Sequence, residues 1–318
     1  MIRLIVAAVL LCGHLSCSIA QNYPSRPVRL VVPFPPGGGT DLLARTLGQE
    51  LTNGLGQQVI VDNRSGAQGN VGTALVAKAL PDGYTILLAQ NGIFAMNPWI
   101  FKETGFDPVR DFSHVSLATV QPQLVVVNPR VPARDLRELA VLARQKPDLL
   151  SFASGAASGH LAGELFKMLS KTKILHVPYK GGGPAMIDVV AGNVDMMIAS
   201  PPTSIPMLKA GKLRAIAVAG PTRLTAMPEI PTAVDSGFPD FDARGWYAIA
   251  GPAHMPREIV ARLHAELARI LGAASVKEKL LAAGIEAKTN SPEEMASYVK
   301  AEYDRWGKVV KIAGVKAE

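Results

Sequence analysis

The sequence predicts an α/β protein of two lobes, each a β-sheet flanked by helices, with two crossing segments as hinge. The unit of strand, glycine-rich loop and helix occurs twice, at residues 28–47 and again at 173–190. Two further apolar, extended stretches, 115–127 and 213–219, are placed to run from one half to the other. Composition agrees, because 48% hydrophobic with 19% charged residues suits buried strands rather than disorder. A chain of about 300 residues buries roughly three quarters of its unfolded surface and tends to divide into lobes. The expected lobes are 21–122 with 221–318, and 123–220.

The chain opens on Met1-Ile-Arg3, a positive stretch, followed by an apolar run over 4–11 and by Ser18-Ile-Ala20 before Gln21. This reads as a secretory signal peptide, residues 1–20, and implies a periplasmic mature chain beginning at Gln21. The apolar run is about half of the ~20 residues a spanning helix needs. Both cysteines, Cys12 and Cys17, fall inside it. A lipoprotein reading would make Cys17 the acylated residue, but His14-Leu15-Ser16 fits poorly the small, aliphatic pattern expected there. Without disulfides, the mature chain is held by core burial. Its net charge of +7 before cleavage comes from scattered basic residues, and with 6% aromatics nothing points to nucleic acid.

Residues 28–32 form a β-branched, apolar run that reads as a buried strand, and Leu42, Leu43, Thr46 and Leu47 recur at helical spacing. Between them lies Pro33-Phe34-Pro35-Pro36-Gly37-Gly38-Gly39-Thr40-Asp41. Consecutive glycines let backbone come within hydrogen-bonding distance of a ligand, and the following helix aims unpaired N–H groups and its positive end at that space. A carboxylate or phosphate fits such a loop. The alternative is a plain turn in which Thr40 or Gly39 caps the helix and Asp41 complements its dipole.

Residues 58–62 read as a second strand, 63–69 as a polar loop, and 70–79 as a helix closed by Pro81-Asp-Gly83. Residues 85–89 make a third strand with Gln90 and Asn91 at its carboxyl edge, where parallel βαβ units hold ligands. The crossing at 115–127 is interrupted at Pro122, a helix covers 134–145, and a short strand at 150–153 leads into the small, polar 154–160 and a helix. The second glycine loop, Pro178-Tyr179-Lys180-Gly181-Gly182-Gly183, follows a strand at 173–177. A strand over 193–200 ends in Pro201-Pro202, and a strand over 213–219 is the expected return crossing. After a strand at 246–250 the rest is helical, with capping boxes at Ser275-x-x-Glu278 and Ser291-x-x-Glu294.

Catalytic motifs fail. In Gly155-Ala-Ala-Ser158-Gly159 the serine is one place late for a nucleophile elbow, and neither nucleotide-loop pattern occurs. The histidines of the mature chain never fall three to five apart, so a local metal site lacks support. Cofactors, metals and catalytic residues are therefore expected to be absent. An enzyme acting on a small acid would have to pair His160 with Asp41 or Asp195.

Tyr23-Pro-x-Arg-Pro-Val-Arg-Leu-Val-Val-Pro-Phe-Pro-Pro-Gly-Gly-x-x-Asp41, with Val59-Ile-Val-Asp-Asn-Arg64, His160-Leu-Ala-Gly-Glu-Leu-Phe166 and Val177-Pro-Tyr-Lys-Gly181, resembles the Bug-type receptors. These are the periplasmic substrate-binding proteins of tripartite tricarboxylate transporters. The resemblance runs from about Tyr23 to the C-terminus and implies a Venus flytrap of the type II kind. It implies that the loop of Phe34, Pro36, Gly37, Gly38, Gly39, Thr40 and Asp41 and that of Tyr179, Lys180, Gly181 and Gly182 grip one carboxylate from two sides, with bridging waters. Asn91, Ser154, Ser158, His160 and Pro201 would read the distal end of the ligand. Gln90-Asn91-Gly-Ile-Phe94 departs from the small Ser/Thr residues frequent there. Taken singly, Lys180 either pairs with an anion or stays solvated, His160 either donates to ligand or caps a turn, and Asp195 either accepts an ammonium group or stabilises a loop. The implied partners are a small carboxylate and the transporter's membrane subunits, the receptor itself being monomeric. A periplasmic sensor would share the same binding physics.

Overall fold

The computed structural model describes residues 23–37, 39–179 and 181–315. The expected signal peptide with its two cysteines, and the expected roles of Gly38 and Lys180, lie outside the described residues. The first sheet contains β1 (Val28–Val32), β2 (Val59–Asn63), β3 (Thr85–Gln90), β4 (Phe112–Gln121), β10 (Gly245–Pro252) and β11 (Glu286–Ala287), in the order β11-β4-β10-β3-β1-β2. Its first three strands are parallel, and β10 enters antiparallel between β3 and β4. The second sheet contains β5 (Leu124–Val127), β6 (Ser151–Ser154), β7 (Leu175–Pro178), β8 (Met196–Ala199) and β9 (Arg214–Val218), in the order β7-β6-β8-β5-β9. Both sheets are flanked by helices, as the sequence predicts.

The two segments that cross between sheets meet at the hinge. Proline has no N–H to give a ladder, and Pro122 divides the long extended stretch into β4 of one sheet and β5 of the other. The return runs not through β9, which is an edge strand of the second sheet, but through the 219–244 segment after it. There Ala219 N–H donates to Gln123 O at 2.8 Å and Ala243 N–H to Ala219 O at 3.0 Å, so the two crossings are bonded to each other.

Helices form where apolar residues recur at three and four. In α1 (Gly39–Leu55), Leu43, Ala44, Leu47 and Leu51 are buried against Leu30 and Ile86 of the sheet. Helices α2 (Asn70–Ala77) and α3 (Asn97–Ile100) precede and follow β3 in the chain, and α4 (Leu136–Gln145), α5 (Ala157–Ser170), α6 (Gly182–Ala191) and α7 (Pro201–Lys209) belong with the second sheet. Helices α8 (Arg257–Gly272), α9 (Ala274–Ala282) and α10 (Pro292–Ala313) follow β10. Ser291 and Glu294 form the expected reciprocal cap of α10, at 3.1 and 2.9 Å. The box expected at Ser275 does not form, because α9 begins at Ala274 and leaves Ser275 inside the first turn. Helix α10 serves both lobes: Met295 and Val299 join the core around Phe94 and Trp246, whereas Trp306, Val309 and Val310 join the core around Phe152, Phe166 and Ile198.

Candidate functional site

The carboxyl ends of the central parallel strands of both sheets point into one cleft, the position such sheets reserve for ligands. Its inner chamber, about 180 Å³, takes Gly39 and Thr40 from the start of α1, Ser158 from α5 and Gly182 from the start of α6. An outer chamber, about 370 Å³, is bordered by Phe34 on one side and by Tyr179 and Gly181 on the other, and shares Gly155 and Ala156 with the inner one. The two glycine loops thus face each other across the cleft. Where the loops of the second lobe meet, Gly155 runs against backbone. A Cβ there would stand 2.1 Å from Gly181 C and 2.3 Å from Gly182 N, so any side chain at 155 would push the loop away.

The floor of the inner chamber is a polar network that is uncharged among its described residues. Tyr247, on β10, is buried, and its hydroxyl lies 3.0 Å from Thr40 Oγ1 and accepts from Gln90 Nε2 at 3.4 Å. Burial pushes the Tyr247 phenol well above its ordinary range, which keeps it protonated and able to donate. Asn91, 2% exposed, and Gln121 and Gln123 of the first crossing complete the floor. On the far wall Ser200 and Thr203 stand at the start of α7. After Asn91 the backbone makes a π-helical turn, Gly92–Met96, that brings Gly92 up to the start of α5.

Several expected residues do other work. Asp41, 5% exposed, accepts from Gly37 N–H at 3.0 Å, Arg45 Nε at 2.9 Å and Asn63 Nδ2 at 3.1 Å, so it shapes the first loop from behind. Burial alone would raise its pKa, but Arg45, Gly37 and Asn63 together hold the carboxyl below its usual value. Asp195 is a correction. It sits ahead of β8, at the end opposite Ser200, where it accepts from Ser151 N–H and Oγ and from Arg130. It borders a separate surface pocket with Arg130. Pro201 lies against Gly284 of the first lobe rather than on the chamber wall, and Pro36 and Gly37 are exposed on the outer loop.

Ser154 and His160 border a third, small pocket of about 70 Å³. The His160 and His176 rings stack at 3.8 Å and 9°, and His176 Nε2 lies 2.6 Å from Ser154 Oγ. His160 Nε2 also approaches Glu164 at 3.8 Å, and Glu164 accepts from Lys167. Desolvation first, then the His160 ring and Lys167, lower the His176 pKa to about 4. His176 is accordingly neutral at pH 7.

Sequence reasoning missed Gln68, Gln121, Gln123, His176, Ser200, Thr203 and Tyr247. Gln121 and Gln123 flank the proline of a crossing segment, which has to border the cleft, and Tyr247 lies in a strand that was itself legible. Those were usable signals. Nothing local marks Gln68 or His176, whose neighbours come from distant parts of the chain.

Residues 43–315 match the family model described as "Tripartite tricarboxylate transporter family receptor". The chain belongs to this family. Protein BugT of Bordetella pertussis (strain Tohama I) is 34% identical over 300 residues, 93% of this chain and 92% of BugT. An R. palustris protein solved with adipate superposes with a TM-score of 0.87 at 38% identity, covering 93% of this chain and all of that one. MatC from Rhodopseudomonas palustris, solved with bound malate, gives 0.82 at 32% identity, covering 91% of this chain and all of MatC. The tripartite receptor is thus a two-lobed α/β solute-binding protein, as the resemblance implied.

Proposed function

We propose that this receptor captures a small carboxylate-bearing metabolite between its lobes in the periplasm and delivers it, unconverted, to the membrane subunits of a tripartite tricarboxylate-type transporter. It acts as a monomer, with residues 21–122 and 221–318 as one lobe, 123–220 as the other, and 1–20 removed on export. The observation that supports this most directly is the convergence of three helix starts, α1, α5 and α6, on one chamber whose described lining is uncharged. Unpaired N–H groups and positive helix ends favour an anion without requiring a cationic side chain. A chamber this small suits a short acid rather than a nucleotide or peptide. The relatives solved with adipate and malate bind ligands of that class.

In this reading Gly39, Thr40, Asn91, Ser158 and Gly182 touch the ligand, and Phe34, Tyr179 and Gly181 close the mouth. Gly38 and Lys180 belong to the same two loops. Native mass spectrometry of the freshly purified mature protein, followed by calorimetry with adipate and malate as first probes, tests the proposal. A retained or titratable carboxylate that leaves chemically unchanged is the expected result. Failure to bind across a panel of mono-, di- and tricarboxylates, or conversion of one of them, would count against it.

A further inference from the structure

Helix α5 starts at the point where the inner and outer chambers meet, yet it has no cap of its own. Ala156 stands at its N-cap position and offers no side-chain acceptor. The acceptor comes from the other lobe, where Gln68 Oε1 receives the Ala157 N–H at 3.0 Å. Gln68 reaches that point with φ 51° and ψ 34°, directly after Ala67 at φ 44°, a left-handed backbone that a residue with a Cβ rarely adopts. Such conformations persist only when the surroundings impose them. Here the brace is Asn97, whose Nδ2 donates to Gln68 O at 3.1 Å and to Asn70 Oδ1 at 2.7 Å. Asn97 and Asn70 are 1% and 4% exposed, so the brace is part of the first lobe's interior. The Gln68 side chain itself borders the outer chamber on one side and the histidine pocket on the other.

We infer that Gln68 is a positioning residue for ligand capture: its amide caps α5 across the cleft, so that closing the lobes completes the helix and opening them uncaps it. The inference rests on the receptor reading above. Because the donor is on one lobe and the acceptor on the other, the bond exists only while the lobes are together. It therefore adds to the closed state and to nothing else, which is how a contact shifts a two-state equilibrium. Its carbonyl also occupies the first free N–H of α5, leaving the next ones, at Ser158 and Gly159 beside the inner chamber, for the ligand.

Three variants separate the amide from the backbone. Gln68→Ala removes the acceptor and keeps a Cβ in left-handed geometry, Gln68→Gly removes the acceptor and relieves the backbone, and Gln68→Glu keeps an acceptor suited to a helix start. Hydrogen exchange of the segment containing Ala157 is measured on the whole mature protein, with and without adipate, alongside the dissociation rate of adipate. Ala and Gly variants are expected to exchange faster at Ala157 and to release adipate about fivefold faster, the size of a lost N-cap, with association little changed. The Glu variant is expected to match or exceed the parent in protection. If exchange and release in the Ala and Gly variants equal those of the parent, the inference is wrong. If Gly equals the parent while Ala does not, backbone strain rather than the amide is responsible and the inference also falls. Should no carboxylate bind, the receptor reading fails and the inference, which rests on it, falls with it; adipate binding with parent-like release in the variants overturns the inference alone.

Discussion

Substituting Gly155 by Ala tests whether the second glycine loop is held in place by backbone-on-backbone contact. The added Cβ would lie 2.1 Å from Gly181 C and 2.3 Å from Gly181 O, against at least 3.4 Å for ordinary contact. The loop must retreat by about 1.3 Å. Both colliding groups are main chain, so no side chain can swing aside to make room. Gly181, Gly182 and Gly183 have nothing within 4 Å of their own Cβ positions, which leaves the loop free to move outward. Overpacking costs about 1–3 kcal/mol, and with such room the loss of fold stability should fall near ~1 kcal/mol. Binding is more exposed, because a retreat of that size takes the Gly182 end of α6 out of hydrogen-bonding range of a ligand seated against α1. Losing one or two hydrogen bonds to a charged group costs about 1.5–3 kcal/mol each, so affinity should fall by at least about tenfold. Calorimetry with the ligand identified by native mass spectrometry reads the affinity, and a thermal melt reads the stability. Gly272→Ala, with nothing within 4 Å and a helical backbone, serves as a control expected to leave affinity unchanged and, if anything, to raise stability. An unaltered dissociation constant in Gly155→Ala would refute the reasoning, since the loop would then bind equally well from a displaced position.

Tyr247→Phe removes the hydroxyl shared by Thr40 and Gln90 and should destabilise the fold by about 1 kcal/mol while weakening carboxylate binding more than it weakens folding. Calorimetry and a chemical melt on the same sample compare the two effects, and equal losses would reduce Tyr247 to a packing role. The pH profile provides another check, since His176 and the buried His114 are both held at about 4, chiefly by burial, against 6.5 for the free side chain. Their folded forms resist protonation, so stability should be constant above pH 6.5 and fall as pH drops from there through 4, where the unfolded chain binds more protons. His176→Gln should flatten that slope in calorimetric melts, and an unchanged slope would mean that His176 does not titrate as argued.

The sequence announced the two lobes because their signals are local. Each glycine loop sits between an apolar strand and a periodic helix, and Pro122 marks its crossing by chemistry alone. The insertion of β10 between β3 and β4 was not legible, since a strand's neighbours depend on pairing across more than a hundred residues. The same division runs through the candidate site. Gly39, Thr40, Asn91, Ser158 and Gly182 stand at strand ends and helix starts, and their positions could be read from the pattern. Asp195 was misjudged because a strand has two ends, and residue type does not say which one faces the cleft. Gln68, His176 and Tyr247 acquire their roles from partners 22 to 207 positions away: Ser154 for His176, Ala157 for Gln68 and Thr40 for Tyr247.

Helix α10 imposes an order on how the molecule can be completed. Strands β5 to β9 form an unbroken run of sequence and could pair as soon as they exist. The apolar cluster that covers them, with Phe152 of β6 and Phe166 of α5, nevertheless waits for Trp306, Val309 and Val310 of α10, which come far later in the chain. Met96 and Ile100, made long before, lie in that same cluster. The middle of the chain therefore cannot finish its interior until both flanks have arrived. A fragment cut to the second sheet alone would leave that cluster wet and prone to association. Although its sheets are separate, both interiors are closed by that one helix, so the protein is completed as one body.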